Sequence, residues 1–265
     1  MTIMTALGLY VLLGAFAGTL AGLFGIGGGL IIVPVLMFSF ELQGFEAVNL
    51  AHLAVGTSLA TIVFTSLSSI RAHHLKQSVR WELFKPMALG IVFGAALGAW
   101  TASLLSSQGL ENLIGIFAIV VAVKMLMGVD PKPGRDVPGA AGLVGVGGGI
   151  GWGSAIFGIG GGTLTVPFLS WCNVRMQQAV GTSAACGLPI ALAGALSNVA
   201  VGWGEAGLPA WSAGFVYLPA LAGIVVTSVP FAKVGAWLAH RLSPKLLKRI
   251  FAVVLIVVGL RFILS

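Results

Sequence analysis

Glycine and hydroxyl residues, set twice in the same order, are the groups in this chain that could do chemistry. Phe24-Gly-Ile-Gly-Gly-Gly29 is followed by Val33-Pro34, and Phe157-Gly-Ile-Gly-Gly-Gly162 by Val166-Pro167. A helix that starts near Gly29 or Gly162 aims unpaired first-turn N–H groups and a partial positive charge at the break before it. Two such N-termini converging form an anion site that needs no cationic side chain. Val55-Gly-Thr-Ser58 and Val180-Gly-Thr-Ser183 follow the two breaks and supply hydroxyl partners. The candidate anion ligands are therefore Gly27, Gly28, Gly29, Thr57 and Ser58 from the first set. From the second set they are Gly160, Gly161, Gly162, Thr163, Thr182 and Ser183. A second use exists for each group: glycine stretches pack membrane helices, and Ser or Thr hydroxyls bond to their own or a neighbouring helix backbone. Gly14/Gly18/Gly22 and Gly90/Gly94/Gly98 have the spacing of such packing stripes.

What is missing narrows the chemistry. All seven Asp and Glu residues fall outside the apolar runs or at their ends, so no buried carboxylate is placed for a sodium or proton relay. A cationic substrate is disfavoured on that ground. No GK[ST] phosphate loop, HExxH motif, acid pair or nucleophile–base pair is present, so the chain does not read as an enzyme and implies no cofactor. His73, His74 and His240 lie at predicted helix ends and His52 near the start of another, without metal-ligand spacing. Cys172 and Cys186 read as core residues and not as a metal pair or structural disulfide.

The elements that must position these groups are membrane helices. Hydrophobic residues make up 58% of the 265 and charged residues 8%, against about a quarter charged in soluble domains. Apolar runs of bilayer-spanning length recur along the chain, which names the lipid bilayer as its solvent. The net charge of +7 sits in short clusters between those runs. It orients the chain in a membrane and offers no continuous face to a nucleic acid. Residues 1–20 are apolar without the basic n-region of a signal peptide, and read as a retained first helix.

The two sets belong to an internal repeat. Pro86 with Gly90-Ile-Val92 matches Pro219 with Gly223-Ile-Val225, Gly98-Ala-Trp100 matches Gly235-Ala-Trp237, and Ile116-Phe-Ala118 matches Ile250-Phe-Ala252. Residues 1–128 form the first repeat, the Pro-rich charged stretch 129–138 a cytoplasmic linker, and residues 139–265 the second repeat. Each repeat offers a Gly-interrupted segment (about 6–40 and 139–171) and three apolar segments. These lie near 49–70, 83–105 and 112–127, then near 179–203, 213–238 and 246–264. If each interrupted segment crosses the bilayer once, the basic loops split between its two faces. If each enters and returns as a hairpin, every basic loop is cytoplasmic, and the outer loops carry Glu41, Glu46, Glu111 and Glu205 without Lys or Arg. The hairpin reading makes an all-α polytopic membrane protein of two inverted-topology repeats, each a Gly-interrupted hairpin plus three transmembrane helices, with both termini outside. Inverted repeats with broken helices are a transporter architecture, with the site near the midplane.

The paired Gly25–Pro34 and Gly158–Pro167 stretches, the Ala54–Ser58 and Ala179–Ser183 elements and the His73-His74…Val79…Trp81 stretch resemble the TauE/SafE sulfite exporter family. The resemblance covers nearly the whole chain. It implies a transporter of sulfite, small organosulfonates or related sulfur oxyanions in a bacterial cytoplasmic membrane. Asn198 follows Thr182 at the interval at which His73 follows Thr57, which makes these two candidate paired supports behind the site. An anion channel through the same path, and a membrane-embedded binding protein without transport, are the competing expectations.

Overall fold

The computed structural model describes residues 3–24, 29–127, 134–239 and 244–264. Its helices are α1 (Ile3–Phe24), α2 (Gly29–Leu42), α3 (Ala47–Leu75), α4 (Trp81–Ser103) and α5 (Ser107–Met127). After the linker follow α6 (Ala140–Ile156), α7 (Gly162–Trp171), α8 (Met176–Val201), α9 (Leu218–Ala239) and α10 (Pro244–Leu264). One small antiparallel ribbon, β1 (Ser212–Ala213) with β2 (Val216–Tyr217), precedes α9. The apolar run expected from residue 213 is thus a ribbon up to Tyr217 and a helix only from Leu218. Gly214, at φ +53°, turns the chain between the two strands.

Burial runs opposite to that of a water-soluble protein. Thr57, Ser58, Thr61, Thr182 and Ser183 are buried, while Phe93, Leu97, Ile116, Val120, Leu196, Val226 and Val257 stand exposed. A helical surface with this much uncovered apolar side chain is dissolved by lipid tails and not by water. Among the described residues, four helices, α3, α4, α5 and α8, are long and apolar enough to cross a membrane. At 14 and 10 residues, α2 and α7 extend only about 21 and 15 Å, well short of a roughly 30 Å hydrocarbon core.

Both interrupted segments fold back. In the first, Gln43 beyond α2 donates to the Tyr10 hydroxyl near the start of α1 (2.5 Å), and Phe40 meets the Tyr10 ring edge-on. In the second, the N–H groups of Gly134 and Arg135, ahead of α6, bond to the carbonyl of Trp171 at the end of α7 (3.2 and 3.4 Å). The Arg135 guanidinium also covers the Trp171 ring.

Contacts sort the charges to two ends of the molecule. Glu41 pairs with Arg261 on α10, and Asn49 donates to the Ala206 carbonyl in the loop that carries Glu205 (2.8 Å). At the other end of α3, the segment bearing Arg80 lies against the start of α8, just after Arg175. The first hairpin opens at the acidic end and the second at the basic end.

Helix pairing interleaves the two halves. α1 packs on α9, α4 on α6, α5 on α10 and α3 on α8. Small residues allow it: Gly90, Gly94 and Gly98 of α4 face the carbonyls of Val144, Gly148 and Trp152, while Gly147 and Gly151 face Met87 and Ile91 in return. Gly14 and Gly18 do the same against Ile224 and Ser228 of α9. The glycine stripes expected to pack do so at every position whose surroundings are described.

Candidate functional site

The start of α2 meets the second break. A Cβ on Gly29, the first residue of α2, would stand 2.7 Å from the Gly158 carbonyl oxygen and from Ile159 Cα, so only glycine admits the second break this closely. Gly158 itself has φ +63°, a left-handed conformation that an L side chain adopts at a cost. It closes α6: Gly158 N–H bonds to Ala155 and Ile159 N–H to Ser154, as at many helix C-termini. Two residues later the chain restarts as α7, with Gly161 at its N-cap.

The start of α7 is open. Thr165 N–H bonds to the Gly161 carbonyl, and the N–H groups of Gly161 to Leu164 ahead of it have no carbonyl partner among the described residues. No side chain caps them. Gly161 lies tight on α8, where its Cβ would stand 2.5 Å from the Ser183 carbonyl oxygen and 3.1 Å from Gly187 N. Ser66 of α3 reaches the same place, 3.1 Å from where a Gly187 Cβ would be.

Seven buried side-chain polar atoms lack a partner among the described residues, and four of them belong to the helices around the second break: the hydroxyls of Ser154 on α6, Thr163 and Thr165 on α7, and Ser183 on α8. An orphaned buried hydroxyl costs on the order of 1–3 kcal/mol, so each of these is a polar group that a bound water or ligand would satisfy. The N-terminal N–H groups can donate to a compact anion and the hydroxyls can add to them, with no cation required. No group of three metal-ligating side chains occurs among the described residues.

The expected ligands divide. Gly160, Gly161, Gly162 and Thr163 form the start of α7, the Ser183 carbonyl lies against Gly161, and Gly29 meets the break just ahead, at Gly158 and Ile159. Gly27 and Gly28 lie outside the described residues. Ser58 borders the break, but its proton is committed to the Gly158 carbonyl (2.8 Å). Thr57 and Thr182 do something else. Thr57 lies well inside α3 and Thr182 within α8. Thr57 Oγ1 accepts the N–H of Tyr217, just ahead of α9, and Thr182 Oγ1 accepts that of Arg80, just ahead of α4 (2.9 Å each). The preceding glycines let the same segments in: Gly56 lies on the Phe215 carbonyl and Gly181 on that of Ser78. Each Gly-Thr pair thus clamps the entry to the fourth helix of the other half.

His73 and Asn198 take matching places behind these clamps. The His73 carbonyl accepts Ser78 N–H and the Asn198 carbonyl accepts Phe215 N–H, each at 3.1 Å. Their side chains bond locally, His73 to Ser78 and Asn198 to Gly194. Ser154 and Thr165 were missed by the reading of the sequence. A signal was present: at the corresponding positions of the first repeat stand Ala21 and Ile32, and opposite Thr163 stands Leu30. Hydroxyls that break a repeat in favour of polarity are the ones to notice.

Comparison with known proteins agrees with a transport role. The profile of the family described as "Sulfite exporter TauE/SafE" matches residues 10–262. A Haemophilus influenzae protein named "Probable membrane transporter protein" is 36% identical over 259 residues, covering 97% of this chain and 98% of its own. A Methanocaldococcus jannaschii protein of the same description is 29% identical, over 97% and 95% of the two chains. So is YunE of Bacillus subtilis, likewise named a membrane transporter protein, over 96% of each. No solved structure matches.

Proposed function

Because this chain belongs to the TauE/SafE family of membrane transporters, we propose that it carries a small sulfur-containing oxyanion, sulfite or a small organosulfonate, across a bacterial cytoplasmic membrane. The observation that carries the proposal is the open N-terminus of α7, beside the second break and the start of α2, with unpartnered buried hydroxyls on α6, α7 and α8. The family's printed description supplies the sulfur oxyanion, and the site supplies the reason an anion would stop there.

In this reading residues 1–128 and 139–265 are inverted repeats about the 129–138 linker, with the basic end cytoplasmic and both termini outside. The clustering of Arg71, Lys76, Arg80, Lys85 and Arg175 at one end supports that orientation. Transport proceeds by alternating access, the anion being exposed to one face and then to the other. Since the helices interleave, the units that rock are pairs such as α1 with α9 and α4 with α6, and not the two halves of the sequence. An inside-negative potential drives an anion outward unaided, so export needs no coupled ion.

Purified protein in liposomes tests this. Saturable sulfite efflux, accelerated by sulfite on the far side, is the expected result for a carrier. Unsaturable conductance would replace the carrier with an anion channel, and no flux of any anion would refute transport at this site.

A further inference from the structure

At the acidic end of the molecule, we propose that the loop between α8 and α9 binds an organic ammonium group, that of a zwitterionic lipid headgroup such as phosphatidylethanolamine. The loop surrounds a hollow of about 310 Å3, with Trp203, Glu205, Leu208, Pro209, Trp211 and Ser212 in its lining. Glu205 is the only charged residue between Arg175 and Lys233, and it lines the hollow without a salt bridge among the described residues. Glu46 brings a second carboxylate to the same loop, against Gly207, while Arg261 at this end is already paired with Glu41. Trp203 and Trp211 line the hollow and are nonetheless 73% and 69% exposed. Trp211 is held at φ +69°, a left-handed conformation that a bulky side chain adopts only at a cost. Its carbonyl accepts the N–H of Leu218, and the next N–H, of Ser212, bonds back to the Pro209 carbonyl. Gly202 packs on Phe215, Gly214 on Val199, and Asn49 donates to the Ala206 carbonyl, so the loop is fixed before any ligand arrives.

The chemistry of the lining names the ligand. Indole rings attract a cation to their faces, and a carboxylate accepts the N–H groups of an ammonium in charge-assisted hydrogen bonds. Glu205 repels an anion from the same place. Tryptophans at the end of a membrane helix also serve as interfacial anchors, but an anchor requires neither a hollow nor a carboxylate between the rings. The spanning helix α8 ends at Val201, so the loop lies at headgroup level. At that level the ammonium groups at hand are those of the lipids themselves, which makes a headgroup the occupant. The site does not depend on which anion crosses the membrane.

Native mass spectrometry of the purified protein, in detergent with equal amounts of phosphatidylethanolamine and phosphatidylglycerol, tests the site. The wild-type protein is expected to retain phosphatidylethanolamine, and Glu205→Gln and Trp211→Leu each to retain about fivefold less, having lost the carboxylate or one aromatic face. Glu205→Asp keeps the carboxylate and most of the binding. Phosphatidylglycerol has no ammonium and is drawn to the basic end, so all four proteins retain it equally, which also shows that the variants are folded. Equal retention of phosphatidylethanolamine by the wild type and Glu205→Gln overturns the site, as does a matching drop in both lipids. Free ethanolamine that raises the melting temperature as far as the lipid does would assign the hollow to a soluble amine and overturn the headgroup as its occupant.

Discussion

Thr182 and Ser183 are neighbours in one motif, and their hydroxyls have opposite circumstances. Thr182 Oγ1 accepts the Arg80 N–H at 2.9 Å, while Ser183 Oγ, equally buried, has no partner among the described residues. The first repeat differs: Thr57 is pinned to Tyr217, and Ser58 is also satisfied, by the Gly158 carbonyl. The contrast splits the Gly-Thr-Ser motif into two parts. Its Gly-Thr part fastens a helix entry from the other half, and its Ser part is bonded across to Gly158 in the first repeat and without a partner among the described residues in the second.

The sharpest way to break the contrast is to attack a clamp. A Cβ on Gly181 would stand 2.5 Å from the Ser78 carbonyl oxygen. Gly181→Leu is therefore expected to cost at least the ~3 kcal/mol upper end of overpacking, and to yield no monodisperse protein on size exclusion in detergent. Next in size, Thr57→Val and Thr182→Val each strand one backbone N–H. Each lowers stability by about 1–3 kcal/mol in thermal melts, with the KM of the surviving protein near wild type. Ser183→Ala reverses that pattern, raising the sulfite KM about tenfold (about 1.4 kcal/mol) with no loss of thermal stability. If Ser183→Ala destabilised the protein and Thr182→Val shifted only the KM, the two assignments would have to be exchanged. Smallest of all is Arg261→Gln. The Arg261–Glu41 pair is 48% and 34% exposed, so its removal changes stability by no more than about 1 kcal/mol and leaves flux as it was.

Much of this was legible in the sequence because it rests on local spacing. Gly90/Gly94/Gly98 announce a close helix contact by period alone, and the loop charges anticipate the return of each hairpin. The roles of Thr57 and Thr182 were not legible, since their partners Tyr217 and Arg80 lie more than a hundred residues away. The two-residue strands before α9 left no alternating pattern long enough to notice. Ser154 and Thr165 were hidden for a different reason. The eye follows what a repeat conserves, and these hydroxyls stand where the two copies disagree.

The most direct single measurement is sulfite flux through the wild-type protein and its Gly161→Ala variant, side by side in liposomes. A methyl group at Gly161 presses on the Ser183 carbonyl and on Gly187, at the open end of α7. Saturable flux in the wild type, abolished or cut at least tenfold in a variant that still inserts and runs as a single species, is the expected result. Equal flux through both would contradict a site at the start of α7.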